Sequence, residues 1–278
     1  MRELMEETKD FPANPPEKQG YRLEFYDEFN DTVLNTHKWL PSYLPQWSSR
    51  ERSAPRYSLS GQSLRLHIEA DQPAWCRDYD GEVRVSSLQT GCFSGPKGSK
   101  IGQHKFNPKL VVAEAQPTAR LYTPKYGYFE TRLKAVPIPG YMVALWMIGF
   151  EEQPEDSAVI DICEIFGQDI TAESSQNGYG VKQFNDPSIS DESYRDELAI
   201  DASKYHIYAA EWTPTYIDFY VDNVKTRRVE QSPNYPMQFM LGIYELPDRL
   251  EKNLSASAWP KTCEVDYFRG YQPVNDYR

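Results

Sequence analysis

The stretch that decides the fold is AVIDICEIFGQD, residues 158–169. Two carboxylates, Asp161 and Glu164, stand in an otherwise apolar run that is typical of a buried strand. Side chains two apart share a face of a strand, so residue 159 projects with Asp161, whereas Glu164 faces the other way. A one-residue β-bulge after Asp161 would return Glu164 to the first face. The three side chains would then line one groove, where clustering raises the proton affinity of at least one acid.

A period of two, typical of strands, continues along most of the chain. Residues 126–136 place Phe129 and Leu133 on one face, with Tyr128 and Glu130 on the other. The segment YIDFYVDNVKTRRVE predicts a hairpin with its turn near Asp222. Further strand candidates are YRLEFYDEF, SLRLHIEA, KLVVAEAQ, YMVALWMIGF, HIYAAEW, MQFMLGIYE and EVDYFRGYQ. One short helical turn is predicted within residues 190–205. The many strand candidates and the near absence of helix predict an all-β, two-sheet antiparallel sandwich.

Length and composition restrict the domain organisation and the partners. We expect residues 1–20 to be a tail or strap and residues 21–278 to be one domain. A net charge of −11 argues against nucleic acid or an anionic membrane as partner, and no apolar run is long enough to span a bilayer. The first 20 residues lack the apolar core of a signal peptide, so we expect a secreted protein if a signal has been removed and a cytoplasmic one otherwise. The four cysteines lack metal-ligand spacing, and pairing of Cys76 with Cys92 stays open.

The pattern around Asp161 and Glu164 resembles the E-x-D-x-x-E strand of glycoside hydrolase family 16, in the branch of laminarinases, agarases and carrageenases. Five further segments resemble the same family in the right order. They are LEFYDEFNDTVLNTHKW, LSGQSLRLHIEA, YGYFETRLKAVPIPGYMVALWMIG, YHIYAAEWTPTYIDFYVDNV and EVDYFRGYQ. The resemblance implies a jelly-roll sandwich with an open concave cleft that acts on internal β-linkages of a polysaccharide, such as a β-1,3-glucan or a galactan.

In the family, the first Glu of the motif is the nucleophile, the Asp assists it and the last Glu is the acid/base. Asp161 and Glu164 match the second and third roles, but the nucleophile position is Val159. A retaining site needs a second carboxylate about 5 Å from the acid, so little or no normal hydrolysis is expected.

Three interpretations of Val159 stay open. The chain is a carbohydrate-binding protein derived from an enzyme, or it carries a replacement introduced to trap a complex. Alternatively, Glu164 is an acid paired with another base, either Asp161 or an acid of EEQPED, Glu155 or Asp156. A satisfied hydrogen-bond pair left from ancestry is the structural alternative for Asp161 and Glu164.

The resemblance also implies substrate contacts. Trp146 matches a Trp that commonly forms the floor of the cleft, and Trp47 and Arg50 lie where laminarinases place cleft residues. Tyr128 and Glu130 resemble cleft-facing residues. Trp259 lies where a loop Trp often shapes one end of the cleft.

No cofactor is expected for catalysis, but family members often hold a structural calcium. The matching ligands are Glu28, the carbonyl of Gly61 and Asp266, and oxygen ligands suit this cation. We expect a monomer whose partner is a polysaccharide or oligosaccharide.

Overall fold

A computed structural model of the chain describes residues 9–250 and 259–277, which form almost only antiparallel β-structure. In chain order, the strands of this part are β1 Tyr21–Asp27, β2 Arg56–Leu59, β3 Leu64–Ile68, β4 Arg84–Gln89, β5 Gly91–Cys92, β6 Ala119–Arg120, β7 Gly127–Lys134, β8 Tyr141–Gly149, β9 Val159–Phe166, β10 Ser175–Lys182, β11 Glu192–Leu198, β12 His206–Trp212, β13 Ile217–Val221, β14 Val224–Val229, β15 Met237–Glu245 and β16 Lys261–Pro273. The helical elements are α1 (Arg77–Asp80) and three 3-10 turns, Pro45–Trp47, Gly167–Asp169 and Pro247–Arg249. No helix within the described ranges is long and apolar enough to cross a membrane.

Two sheets form the sandwich, as the period of two predicts. The larger sheet has the order β14-β13-β12-β7-β16-β3-β2, and β1 pairs with β16. The smaller sheet has the order β11-β10-β9-β8-β15-β4, so the carboxylate strand β9 lies inside it. The all-β sandwich predicted from the sequence is confirmed.

The main core lies between the sheets. Phe129 and Leu133 of β7 pack there against apolar side chains of the smaller sheet such as Met147 and Ile160. The neighbours of Met147 and Ile160 along their strands point to the other face of the smaller sheet, where a second apolar cluster lies. Trp146 and Val159 belong to that second apolar cluster, which the loops after β1 and β3 cover. The smaller sheet is therefore apolar on both faces, and only the second face can form a cleft.

The predicted hairpin is present in the structure, whereas the predicted helical turn is not. Asp222 and Asn223 connect β13 and β14 with φ values of +50° and +65°, as a two-residue hairpin turn requires. The predicted helical turn in residues 190–205 is instead strand β11. Its residues alternate between half-buried and exposed, and this period of two prevails over helix propensity.

The predicted strand KLVVAEAQ is also absent, because its backbone bonds to loops and not to a strand; the N–H of Val112, for example, donates to the carbonyl of Ser99 at 2.8 Å. Leu110 and Val112 are buried in the second apolar cluster from a loop. The peptide N–H of Ala113 donates to the carbonyl of Gln46 at 2.8 Å, which anchors this loop beside the cleft.

A strap, residues 9–18, lies along the outer face of the larger sheet. The N–H of Phe11 donates to the carbonyl of Tyr205 at 2.8 Å, and Arg132 donates to the carbonyl of Phe11. The ammonium of Lys18 lies 3.6 Å from the ring centre of Tyr128. The predicted tail segment 1–8 lies outside the described residues.

All four cysteines belong to the described part of the chain, and they are buried and free. Cys76 and Cys92 therefore do not pair.

Candidate functional site

Strand β9 carries the predicted bulge, which is confirmed by the pairing on both of its sides. Towards β8, Asp161 pairs with Trp146 and Cys163 with Leu145, so two steps on β9 match one step on β8. Towards β10, Asp161 pairs with Gly180 and Glu164 with Gly178, so three steps match two. One extra residue after Asp161 therefore brings Glu164 to the same face as Val159 and Asp161.

A glycine of β10 lies opposite the start of the bulge. Gly180, opposite Asp161, has a φ of +147°, and a Cβ there would lie 2.2 Å from the carbonyl oxygen of Glu192. Because only glycine fits this backbone, Gly180 allows β11 to pack closely against β10 beside the bulge.

A cleft of about 230 Å³ lies over this face of the smaller sheet. Val159, Asp161 and Glu164 line it together, as the bulge dictates. Trp146 lines the same cleft, and its indole N–H donates to the hydroxyl of Tyr244 at 2.9 Å. The predicted floor residue and the carboxylates therefore meet in one place.

Lys182 is the residue that the sequence reasoning missed at this centre. It ends β10 and pairs directly with Val159, and its side chain lines the cleft beside that residue. Its ammonium lies 2.6 Å from Oδ2 of Asp161 and donates to Oε1 of Glu164 at 3.5 Å. No local pattern marks this lysine, because its role depends on the register between two strands.

The electrostatics of the centre follow from its burial. The Asp161 side chain is 3% exposed, and burial together with the nearby Glu164 carboxylate raises its pKa. The Lys182 ammonium opposes that rise by attracting the ionised form. In turn, the two carboxylates outweigh the burial of Lys182 and raise its pKa. The Asp161 and Glu164 carboxylates thus share one cation, Lys182, and Val159 adds no third carboxylate to them.

A further wall of the cleft comes from two loops that the sequence reasoning did not single out. His104 and Phe184 line it, and their ring centres are 4.6 Å apart. The His104 ring also meets Trp146 edge-on at 5.0 Å. His104 lies in the long insertion GCFSGPKGSKIGQHKFNPKL, whose course no periodicity reveals.

A buried acid anchors the His104 loop. Glu151 Oε1 accepts the backbone N–H of His104 at 2.5 Å, and burial raises the pKa of Glu151 to about 8. The native state then binds this proton more tightly than the unfolded chain, so Glu151 lowers stability as the pH rises from about 4.5 to about 8.

Replacing Glu151 by Gln keeps an acceptor for His104 and removes the titration. We expect the variant to exceed the parent in unfolding free energy by about 1–2 kcal/mol at pH 9 and by much less at pH 5. Urea unfolding at both pH values measures this, with Glu155→Gln on the exposed part of the same loop as control. An equal difference at both pH values would contradict the assignment.

Two further predicted contact residues, Trp47 and Arg50, do not line the cleft. Trp47 is buried, and its indole N–H donates to the carbonyl of Gln103 at 2.9 Å. It borders a separate cavity of about 380 Å³. Arg50 is exposed and donates from Nε to the Gln116 side chain at 2.6 Å.

Trp259 is 42% exposed, and the guanidinium of Arg84 lies 5.1 Å from its ring centre. Arg84 is paired with Glu245 at the end of β15, close in sequence to the cleft residue Leu246. Trp259 itself does not line the cleft.

The cleft-facing assignment of Tyr128 and Glu130 is wrong. Both alternate with Phe129, which faces the core, so they lie on the outer face of the larger sheet. The proposed alternative bases Glu155 and Asp156 also lie outside the lining of the cleft. Asp80 at the end of α1 is the third carboxylate that lines it, and it accepts the indole N–H of Trp75 at 2.6 Å.

The predicted calcium ligands do not fit a cation. Both carboxylate oxygens of Glu28 accept hydrogen bonds from Arg269, at 2.7 and 2.8 Å. Asp266 is paired with Arg132 at 2.7 Å. Guanidinium groups satisfy the carboxylates and would repel a metal ion, and residues 9–250 and 259–277 contain no group of three or more acidic, His or Cys side chains suited to one.

Comparison with known proteins identifies the family and agrees with the fold. A family described as Glycosyl hydrolases family 16 matches residues 118–267. Beta-glucanase from Acetivibrio thermocellus is 32% identical over 121 residues, which is 43% of this chain and 34% of the relative. Glucan endo-1,3-beta-glucosidase A1 from Niallia circulans is 24% identical over 287 residues, 92% of this chain and 39% of the relative. The chain thus spans a little over a third of the length of these curated relatives.

Two solved structures show how far the similarity extends. A GlcNAcα1-4Gal releasing endo-β-galactosidase from Clostridium perfringens has a TM-score of 0.85 and 34% identity, covering 97% of this chain and 66% of that one. A laminarinase from Flavobacterium sp. UMI-01 has a TM-score of 0.61 and 16% identity, covering 90% and 100%. The second likeness concerns the fold alone, whereas the first extends to the sequence.

Proposed function

Because the chain belongs to glycosyl hydrolase family 16, a family of endo-glycosidases, we propose that it binds a β-linked polysaccharide in the cleft above β9 and hydrolyses it little or not at all. The observation that carries this proposal is the pair of residues at the nucleophile position. Val159 stands where a carboxylate is needed, and the Lys182 ammonium lies beside it, 2.6 Å from Asp161.

Both residues oppose the retaining reaction for physical reasons. A valine side chain has no lone pair with which to attack the anomeric carbon. The sugar gains positive charge in the transition state, and a nearby ammonium raises the energy of that charge. Neither residue opposes binding of the neutral ground state.

The same cleft offers what a neutral sugar needs. Trp146 supplies an aromatic surface for sugar C–H groups. Glu164, whose side chain is 24% exposed, supplies acceptor oxygens, and Lys182 at 36% exposure supplies donor hydrogens. Such a combination of an apolar surface and few polar groups is typical of a binding pocket.

A galactose-containing glycan is the preferred ligand. The endo-β-galactosidase from Clostridium perfringens is 34% identical to 97% of this chain. The glucanase from Niallia circulans is 24% identical to 92% of it, which supports β-1,3-glucan as the alternative.

Asp80 supports a second candidate function, slow hydrolysis with inversion. It lines the cleft together with Glu164, so it is available as the base that activates a water. Loss of any measured hydrolysis in Asp80→Asn would support this candidate.

Retention on immobilised polysaccharides tests the main proposal. We expect the protein and its Glu164→Gln variant to be retained on β-galactan with affinities within about fivefold of each other, since the amide keeps an acceptor oxygen. Neither form should release reducing ends. Absence of retention on every β-galactan and β-glucan would refute binding, and turnover that disappears in Glu164→Gln would refute the loss of catalysis.

A further inference from the structure

The wall of the cleft beside Trp146 is made by two residues with unusual backbones. His104 has a φ of +55° and Phe184 a φ of +50°. Residues other than glycine rarely adopt this left-handed conformation, and such strain is concentrated at functional sites. Here the two strained residues come from different loops, and their rings are in contact at 4.6 Å.

Specific hydrogen bonds hold each loop in this conformation. The backbone N–H of His104 donates to Glu151 at 2.5 Å. The residue after Phe184, Asn185, donates its N–H to Ser157 Oγ at 2.8 Å. The surrounding structure therefore fixes the positions of both rings, and hydrogen bonds maintain the strained backbone of both loops.

The protonation of His104 follows from its surroundings. Nδ1 is buried and has no hydrogen-bond partner within the described residues. Burial and the nearby Lys182 ammonium lower the pKa of His104 to about 3, so the ring is neutral. A buried orphan N–H costs more than a buried orphan acceptor, so the proton belongs on Nε2. His104 is then a neutral donor in the lining of the cleft.

Phe184 provides the complementary apolar surface. Its side chain lines the cleft and remains 40% exposed, unlike the buried aromatics around it. Its ring plane is inclined by 50° to that of His104. A ligand in this corner therefore meets the apolar Phe184 ring and, directly adjoining it, the polar His104 ring.

We propose that His104 and Phe184 form a subsite for a galactose-type ring, in which Phe184 packs on the C–H face of the sugar and Nε2–H of His104 donates to the axial 4-hydroxyl. A sugar with an axial 4-hydroxyl carries the hydrogens of carbons 3, 4 and 5 on one face. That face suits a single aromatic ring. The axial hydroxyl of the sugar projects from the opposite face, where a donor that adjoins the aromatic ring can reach it. The subsite rests on the proposed function, since it names the sugar that the cleft selects.

Calorimetric titration of the whole protein with β-linked galactotetraose and with laminaritetraose tests the subsite. We expect Phe184→Ala to weaken galactotetraose binding about tenfold, through loss of the packing surface. His104→Phe keeps a ring between Trp146 and Phe184 but removes the donor, and we expect a similar loss together with a reduced preference for galactotetraose over laminaritetraose. Tyr57→Ala, at 38% exposure on the other sheet, is the matched control and should bind like the parent.

A second variant and a second ligand keep the test decisive if His104→Phe does not fold. His104→Asn suits the left-handed backbone and also lacks the ring donor at that place, so it should show the same loss. Methyl 4-deoxy-β-galactoside should compete for the parent at least fivefold less well than methyl β-galactoside.

Two failures are distinguishable. If the parent binds galactotetraose but folded Phe184 and His104 variants bind it equally well, the subsite is refuted while the binding function stands. Equal competition by the 4-deoxy sugar likewise refutes the role of His104. If the parent binds neither tetrasaccharide nor either polymer, the proposed function itself is refuted.

Discussion

Val159→Glu is expected to produce endo-hydrolysis of β-galactan, with a rate on the order of a thousandfold or more above that of the parent. The position already projects onto the same face as Asp161 and Glu164, because the bulge in β9 aligns all three. The added carboxylate would be 2% exposed if it kept the burial of Val159, so it needs a counter-ion. Lys182, its direct partner on β10, lies in place to provide one, and an ammonium paired with the new carboxylate no longer opposes the positive charge of the transition state.

Val159→Gln is the control, because the Gln side chain has nearly the same shape as that of Glu but lacks a nucleophilic carboxylate. We expect reducing ends from the Glu variant only, with retained anomeric configuration in the first product observed by NMR. Equal low activity of both variants would show that position 159 is not the only missing part of a retaining site.

Lys182→Met is expected to lower the unfolding free energy at pH 8 by about 2–3 kcal/mol. Removing one partner of a buried ion pair costs about 3–5 kcal/mol, and we reduce this because the Lys182 side chain is 36% exposed. The loss arises from Asp161, which is 3% exposed and would keep only the repulsion from Glu164.

The pH dependence of this loss has a definite sign. Burial already raises the pKa of Asp161, and removing the lysine raises it further. The protonated acid needs no counter-ion, so the deficit of the variant should be small at pH 5 and should grow as the pH rises through the raised pKa towards pH 8. Urea unfolding at both values measures it.

Lys225→Met provides the matched control. Lys225 also lies beside a buried acid, Asp218, at 3.6 Å, but Asp218 keeps its 2.7 Å pair with Arg228. The control should therefore lose less than about 1 kcal/mol. Equal losses in the two variants would show that Asp161 does not depend on Lys182.

Much of the architecture was predictable because alternation is a local property. The inward and outward faces of β7 could be assigned from Phe129 and Tyr128, and the bulge from the spacing of Asp161 and Glu164. The sequence does not say which outward face becomes the cleft. The family resemblance predicts Tyr128 in the cleft, but the residue lies on the outer face of the larger sheet.

The parts of the site that could not be predicted depend on tertiary contacts. Lys182 reaches Asp161 through the register of β10 against β9, which no short pattern encodes. His104 and Phe184 require left-handed backbones, which side chains elsewhere in the chain impose. The calcium assignment failed for a similar reason, because Arg269 and Arg132 approach Glu28 and Asp266 from distant segments.

Strand β11 lies at the edge of the smaller sheet and carries three acidic side chains, Glu192, Asp196 and Glu197, but one basic side chain, Arg195. A polysaccharide offers many binding places along one chain, so it would gather many copies of this domain at high local density. Exposed strand edges are then the surfaces through which crowded sandwiches join into larger sheets. The net negative charge of this edge makes such joining unfavourable, so copies bound along one glycan chain would remain separate.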